Sequence, residues 1–133
     1  MIALDTNILA RYLLGDEPRQ SRAARALLED AGARYWLPVT VVLELAWVLR
    51  AAGASRAELA AKLRALLALR NVRAQLPEAL TRALAWAEQG ADFADALHLA
   101  LSSKAERLLT FDEALVKRGA RLGLEPPVRQ PKL

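Results

Sequence analysis

Short apolar runs alternate along the chain with longer stretches in which apolar residues recur at three- and four-residue spacing. The short runs predict strands and the longer stretches predict amphipathic helices. The predicted strands are residues 2–4, 35–37, 71–76 and 107–110, and the predicted helices are about residues 6–14, 18–31, 40–52, 55–69, 77–89 and 92–105, with a short one from 112. This alternation favours an α/β domain with a mostly parallel sheet. The proline-containing tail is either irregular or a final edge strand.

Several residues predict where these elements begin and end. Residues 2–4 are all apolar, so we expect them to form a buried strand. Thr40 is expected to cap the long third helix, and Gly53 is expected to stop it. Ser55 and Glu58 have the spacing of a capping box, which predicts the start of the fourth helix.

Composition limits the chemistry that the chain can perform. Of its 133 residues, 54% are apolar and 26% are charged, which is typical of one folded domain, predicted over 1–133. There is no cysteine and one histidine, His98, which excludes disulfide scaffolds, thiol catalysis and multi-histidine zinc sites. Neither a signal peptide nor a run of about 20 apolar residues is present. We therefore expect a cytoplasmic protein without membrane association.

Three acidic residues call for more than a solvated helix surface. Asp5 and Asp112 each follow a predicted strand, where an acid either caps the next helix or lies at the sheet edge that binds ligands in open α/β folds. Asp95 lies on a nearly all-apolar helix, on one polar stripe with Asp92 and His98. Asp92 is well explained as a helix cap. For Asp95, a first-turn partner of the helix dipole and a functional carboxylate are equally good explanations.

Glu44 is the only ionisable residue in the segment 39–49. Helical spacing places it on one stripe with Val41, Leu45 and Val48, and we expect this stripe to face the core. A buried carboxylate without a partner is unfavourable, so such a position indicates a function. The alternative is that the helix rotates and exposes Glu44 to water.

Carboxylates gathered at one sheet edge repel one another unless a cation binds between them. An all-oxygen site without histidine or cysteine suits Mg²⁺ or Mn²⁺ better than zinc. Because no serine–histidine pair or glycine-rich phosphate loop is present, the simplest chemistry is attack of metal-activated water on a phosphate. His98 is one turn from Asp95, but a lone histidine on such a helix is more often packed or hydrogen bonded than a general base.

The order and spacing of these residues resemble a known family. Asp5-Thr6-Asn7, Glu44 in the long apolar helix, the segment 92–97 and Thr110-Phe111-Asp112 resemble the motifs of PIN-domain nucleases. The match spans nearly the whole chain, and its length resembles that of the small VapC-type toxins of bacterial and archaeal toxin–antitoxin pairs. The resemblance implies a three-layer α/β/α fold with a parallel central sheet. It also implies a Mg²⁺- or Mn²⁺-dependent endoribonuclease.

Roles for individual acids follow from the same resemblance. Asp5, Glu44, Asp95 and Asp112 match the acidic quartet of the family, which implies that they are catalytic and bind the metal. Asp92 matches an acid often present one turn before Asp95, so it is either a further metal contact or only a helix cap.

The resemblance extends to supporting residues and partners. Thr6, Asn7 and Thr110 match positions that support the carboxylates by hydrogen bonding. Similar proteins bind a small antitoxin that blocks the metal site, and they commonly form homodimers. The many alanine and leucine residues on nearly every predicted helix are compatible with both kinds of interface.

Two other functions compete with the nuclease hypothesis. In a non-catalytic partner-binding module of the same fold, the acids are only helix caps. A receiver-type phosphoacceptor domain fits less well, because Asp5 is followed by Thr6 and not by a second acid.

The net charge of the chain favours a polyanionic substrate such as RNA. The 19 basic and 15 acidic residues give a net charge of +4. If the four acids of the quartet lie in one metal site, 11 acids remain elsewhere, and the rest of the molecule carries 19 − 11 = +8.

Overall fold

Parallel strands form two small sheets in the computed structural model, which describes residues 1–132. The strands are β1 (Ile2–Ala3), β2 (Tyr35–Leu37), β3 (Val72–Ala74), β4 (Leu108–Leu109) and β5 (Val128–Arg129). The first sheet has the order β1-β2-β3, with Tyr35 opposite both Ile2 and Val72. The second sheet pairs β4 with β5, with Leu108 opposite Val128.

Helices alternate with the strands along the chain. They are α1 (Thr6–Leu14), α2 (Pro18–Leu28), α3 (Val39–Ala51), α4 (Arg56–Leu67), α5 (Pro77–Glu88), α6 (Phe93–Leu101) and α7 (Glu113–Leu122). The predicted α/β class with parallel strands is confirmed, although the strands lie in two sheets and not in one. The predicted single domain over 1–133 includes Leu133, which lies outside the described residues, and stays a prediction. No helix of the described residues is long and apolar enough to cross a membrane.

Helix starts depend on both local and distant side chains. The predicted capping box is present: Ser55 Oγ accepts a hydrogen bond from the Glu58 N–H at 3.1 Å, and Glu58 Oε1 accepts one from the Ser55 N–H at 3.1 Å. The predicted cap at Thr40 is wrong, because α3 already begins at Val39. The Val39 N–H donates instead to Gln75 Oε1 at 2.9 Å, so a side chain from the β3–α5 connection replaces the local cap.

Leucine-rich faces of the helices form the main core around β2. Tyr35 is fully buried there, and its hydroxyl donates a 2.7 Å hydrogen bond to the Leu27 carbonyl, which satisfies its polar atom. A smaller second cluster consists of Leu99, Leu115, Leu124 and Val128. Helix α6 belongs to both clusters, because Leu97 lies in the first and Leu99 in the second.

The prediction of a buried strand over residues 2–4 is wrong for β1 itself. Ile2 is 57% exposed and Ala3 is exposed, whereas Leu4, just after the strand, is buried. Within the described residues β1 pairs only with β2, so it is an edge strand with one side uncovered. An apolar run predicts that a strand forms. Whether this strand is buried depends on the elements that pack around it, and the run itself does not indicate them.

Candidate functional site

Asp5 lies in the connection between β1 and α1, two residues after the end of the first strand. Its Oδ1 accepts a 2.7 Å hydrogen bond from the Thr6 N–H, so the carboxylate caps α1. Asp5 is exposed, at the carboxyl end of the parallel sheet where open α/β folds bind ligands. Its position is compatible with both roles that the sequence leaves open.

Asp92 and Asp95 lie at the start of α6. Asp92 is the N-cap, and its Oδ2 accepts a 3.2 Å hydrogen bond from the Asp95 N–H. Asp95 lies in the first turn and is half-buried, since the same helix packs Phe93 and Ala96 into the core. The packing of α6 therefore holds one carboxylate in a partly desolvated position.

Asp112 occupies the equivalent position after β4. It is the N-cap of α7, and its Oδ1 accepts a 3.1 Å hydrogen bond from the Leu115 N–H. The Asp112 N–H in turn donates to Thr110 Oγ1 at 3.0 Å. Thr110 thus orients the backbone of the strand-end acid, and Asp112 itself is exposed.

The charges at the start of α6 and α7 act on one another. Burial raises the pKa of the Asp95 carboxyl above its ordinary value, and the negative charges of Asp92 and Asp112 raise this pKa further. His98 and Arg56 act in the opposite direction and lower it. Three carboxylates from two different elements are therefore within electrostatic reach of one another.

Arg56 contributes to this region, although it belongs to none of the motifs in the sequence. The residue is half-buried at the start of α4, and its guanidinium donates a 2.7 Å hydrogen bond to the Gly90 carbonyl. Gly90 lies two residues before Asp92, so Arg56 fixes the loop that leads into α6. In the sequence Arg56 only follows the capping residue Ser55, and no local pattern indicates that it reaches across 34 residues.

The predicted core-facing position of Glu44 is wrong, because Glu44 is exposed. The buried face of α3 consists of Val41, Val42, Leu45, Ala46 and Leu49. At about 100° per residue, Glu44 falls on the opposite side of the helix. The outward side also carries Trp47, which is 56% exposed, and Val48, which is 37% exposed. Both sides of α3 are apolar, so periodicity alone did not distinguish them.

The predicted supporting residues differ in their surroundings. Thr6 is buried, and its hydroxyl has no hydrogen-bond partner within residues 1–132. Asn7 is exposed, next to Asp5 and Thr6 in the chain. The Thr6 backbone N–H donates to Asp5 Oδ1 at 2.7 Å, and the Thr110 hydroxyl accepts from the Asp112 N–H at 3.0 Å, so both threonines contact a candidate acid.

The donor set suits a hard divalent cation, since the candidate ligands are all carboxylates. Burial and the charges of Asp92 and Asp112 raise the pKa of Asp95, and a bound cation would act in the opposite direction. Within the described residues, however, no group of three or more Asp, Glu, His or Cys side chains is arranged to hold a metal ion. The chemistry of the donors fits Mg²⁺ or Mn²⁺, while their assembly into one coordination site stays a prediction.

His98, Arg11 and Arg50 are three further polar side chains, and their surroundings differ. His98 is exposed, so it is not packed in the core, and the choice between a hydrogen-bonded residue and a general base stays open. Arg11 pairs with Asp16 at 3.2 Å, and Arg50 donates to the Ala54 carbonyl at 2.7 Å. The guanidinium groups of both arginines therefore have protein partners.

Comparison with protein families gives one finding over most of the chain. The model of the PIN family, described as PIN domain, matches residues 2–121. This segment includes every candidate acid and all the described elements except β5 and the last residue of α7. No curated protein matches the sequence.

Proposed function

The chain belongs to the PIN domain family, and from this premise we propose that it is a Mg²⁺- or Mn²⁺-dependent endoribonuclease. The fold is of a nuclease type. The observation that carries the proposal for this chain is the position of Asp95. Its carboxylate is held on a buried helix, within electrostatic reach of Asp92 and Asp112, where a cation would relieve the repulsion.

The proposed ligands are Asp5, Glu44, Asp95 and Asp112, with Asp92 as a further contact. A bound divalent cation supplies Lewis-acid activation of water and of the scissile phosphate. The caps of α1 and α7 hold the carboxylates of Asp5 and Asp112 against backbone N–H groups, and α6 limits water around Asp95. Glu44 is carried by α3, which packs against both α1 and α6.

We further propose that the substrate is RNA and that the protein is the toxin of a type II toxin–antitoxin pair, acting in the cytoplasm. Support for a polyanionic substrate comes from the charge of +8 that remains outside the proposed quartet. Support for a protein partner comes from the outward side of α3, where Trp47 and Val48 are exposed. This apolar surface suits a cognate antitoxin or a second copy of the chain.

The test is cleavage of a fluorescent single-stranded RNA by the purified protein in Mg²⁺ or Mn²⁺, with EDTA as the metal-free arm. We expect cleavage with either metal, none in EDTA, and a loss of about 100-fold or more in Asp5→Asn. Asp16→Asn is the matched control, because Asp16 is an exposed acid whose ion pair within residues 1–132 is with Arg11. A DNA strand of the same sequence tests the preference for RNA.

Two outcomes would contradict the proposal. Cleavage that persists in EDTA or in Asp5→Asn would exclude the metal mechanism. A folded protein that cleaves no RNA under any of these conditions would instead favour the non-catalytic partner-binding module. The toxin role is tested separately by inducible expression in bacteria, where growth arrest is expected from the wild type and not from Asp5→Asn.

A further inference from the structure

A cavity of about 670 Å³ lies at the edge of the first sheet where its strands begin, whereas Asp5 lies at the edge where they end. Its lining includes Arg34, directly before β2, and Asn71, directly before β3. These strands are parallel, so both residues lie at the edge where strands begin. Asp5 follows the end of β1, at the other edge. The cavity is therefore separate from the proposed nuclease site.

Hydrogen bonds between distant segments define the shape of this cavity. The Asn71 side-chain amide donates to the Leu28 carbonyl at 2.9 Å and to the Asp30 carbonyl at 3.2 Å. It thereby ties the loop after α2 to the start of β3. The Arg73 guanidinium donates to the Arg70 carbonyl at 3.0 Å, which fixes the chain on the other side.

Charge in the cavity is unbalanced. Three of its nine lining residues, Arg34, Arg70 and Arg73, are arginines, and one, Glu29, is an acid, which leaves 3 − 1 = +2. Within residues 1–132 none of these arginines forms an ion pair, whereas Arg64 pairs with a carboxylate at 2.7 Å. An anion would therefore find guanidinium groups that no protein carboxylate occupies, and guanidinium groups bind phosphate through two parallel hydrogen bonds.

The rest of the lining is mostly apolar. Leu28 is buried, Leu69 and Ala33 are half-buried, and Ala31 completes this surface. A surface of this kind favours a flat, weakly hydrated group such as a nucleobase over water. A volume of about 300–1,000 Å³ is typical of sites for small ligands, and this cavity falls within that range.

We propose that this cavity binds a nucleoside polyphosphate, with the phosphates on Arg34, Arg70 and Arg73 and the base on the apolar lining. The cavity is open to solvent, and its lining includes none of the proposed metal ligands. Because β2 has three residues, the two edges of the first sheet are only about 10 Å apart. A single RNA strand would nevertheless have to pass around this sheet to contact the cavity at one edge and Asp5 at the other. A free nucleotide therefore fits better than a segment of the RNA substrate.

The test is titration of the full-length protein with the fluorescent nucleotide mant-ATP in EDTA, so that no metal-dependent binding contributes. We expect saturable binding that ATP displaces, that inorganic triphosphate displaces less well, and that adenosine displaces least. Arg34→Gln/Arg70→Gln should weaken binding about tenfold or more, because each lost arginine removes charge-assisted hydrogen bonds. The control Arg22→Gln/Arg121→Gln removes two exposed arginines outside the cavity and should change binding less than about twofold.

Two further variants separate a folding defect from a loss of the site. Among the described lining residues Glu29 is the one carboxylate, so Glu29→Gln should tighten binding by about two- to threefold, which misfolding would not produce. Asp95→Asn alters the proposed nuclease site and should leave nucleotide binding unchanged.

Any one of three results would overturn the proposal. The first is the absence of saturable binding by the wild type at 1 mM nucleotide. The second is equal weakening in both arginine double variants, which would indicate only general attraction to a basic surface. The third is tighter binding of a short RNA than of ATP, lost in Arg34→Gln/Arg70→Gln, which would make the cavity a contact for RNA.

Discussion

Replacing Asp95 by asparagine should stabilise the protein at neutral pH in the absence of divalent cations. Burial and the charges of Asp92 and Asp112 raise the pKa of Asp95 above its ordinary value of 3.8. The folded state therefore binds this proton more tightly than the unfolded state, and the charged carboxylate disfavours folding once the pH exceeds the unfolded pKa. Asparagine removes that charge and keeps the shape of the side chain.

The size of this effect follows from the exposure of the groups. Two like-charge interactions between partly solvated carboxylates destabilise the folded wild type by about 0.2–1 kcal/mol each. Partial burial of the Asp95 charge destabilises it by a similar amount. The favourable interaction of Asp95 with the dipole of α6, about 0.3–1 kcal/mol, is lost at the same time. A net stabilisation of about 0.5–1 kcal/mol remains, which corresponds to a rise of about 2–4 °C in melting temperature.

The assay is thermal unfolding followed by circular dichroism in EDTA between pH 3 and pH 8. The difference in melting temperature between Asp95→Asn and the wild type should be close to zero near pH 3. It should grow as the pH rises through the pKa of Asp95. Glu113→Gln is the control, because Glu113 is also a first-turn acid but is exposed on α7. Equal or lower stability of Asp95→Asn at pH 7 would refute the electrostatic account, and so would a difference that does not depend on pH.

Three further predictions test other parts of the molecule. Arg56→Gln loses the hydrogen bond to Gly90 and should lower the free energy of unfolding by about 1 kcal/mol in urea titrations; an unchanged value would mean that the loop before α6 is held by other contacts. Tyr35→Phe leaves the Leu27 carbonyl without its donor and should cost about 1–2 kcal/mol in the same assay, whereas a change below about 0.3 kcal/mol would contradict the importance of this buried bond. Trp47→Ser should change monomer stability by less than about 0.5 kcal/mol but reduce self-association or antitoxin binding at least tenfold, as measured by light scattering or calorimetry; unaltered association would remove the outward side of α3 from the proposed interface.

Features that depend on neighbouring residues in the chain were predictable. The capping box at Ser55 and Glu58 and the caps at Asp92 and Asp112 are formed by hydrogen bonds over three residues or fewer, so spacing is sufficient to indicate them. The alternation of short apolar runs with amphipathic stretches likewise predicted the α/β class, because each period belongs to one type of element.

Features that depend on distant contacts were not predictable in the same way. The exposed side of α3 is set by what packs on its other side, and over residues 39–49 Glu44 is its only ionisable residue. The start of α3 depends on Gln75, 36 residues away, and the loop before α6 depends on Arg56, 34 residues away. No pattern within one element records such partners. The wrong predictions for Glu44 and Thr40 have this common physical origin.

The relation between the candidate acids depends on helix packing more than on strand pairing. Asp5 follows a strand of the first sheet and Asp112 follows a strand of the second, and within residues 1–132 the two sheets share no paired strands. Helix α6 connects them, because it packs Leu97 into the core of the first sheet and Leu99 into the cluster beside the second. It also carries Asp95, whose pKa is raised by burial, by the charge of Asp92 and by the charge of Asp112 across this junction. Interior packing at α6 is therefore the feature that positions Asp95 relative to Asp92 and Asp112, and it links the stability of the fold to the proposed metal chemistry.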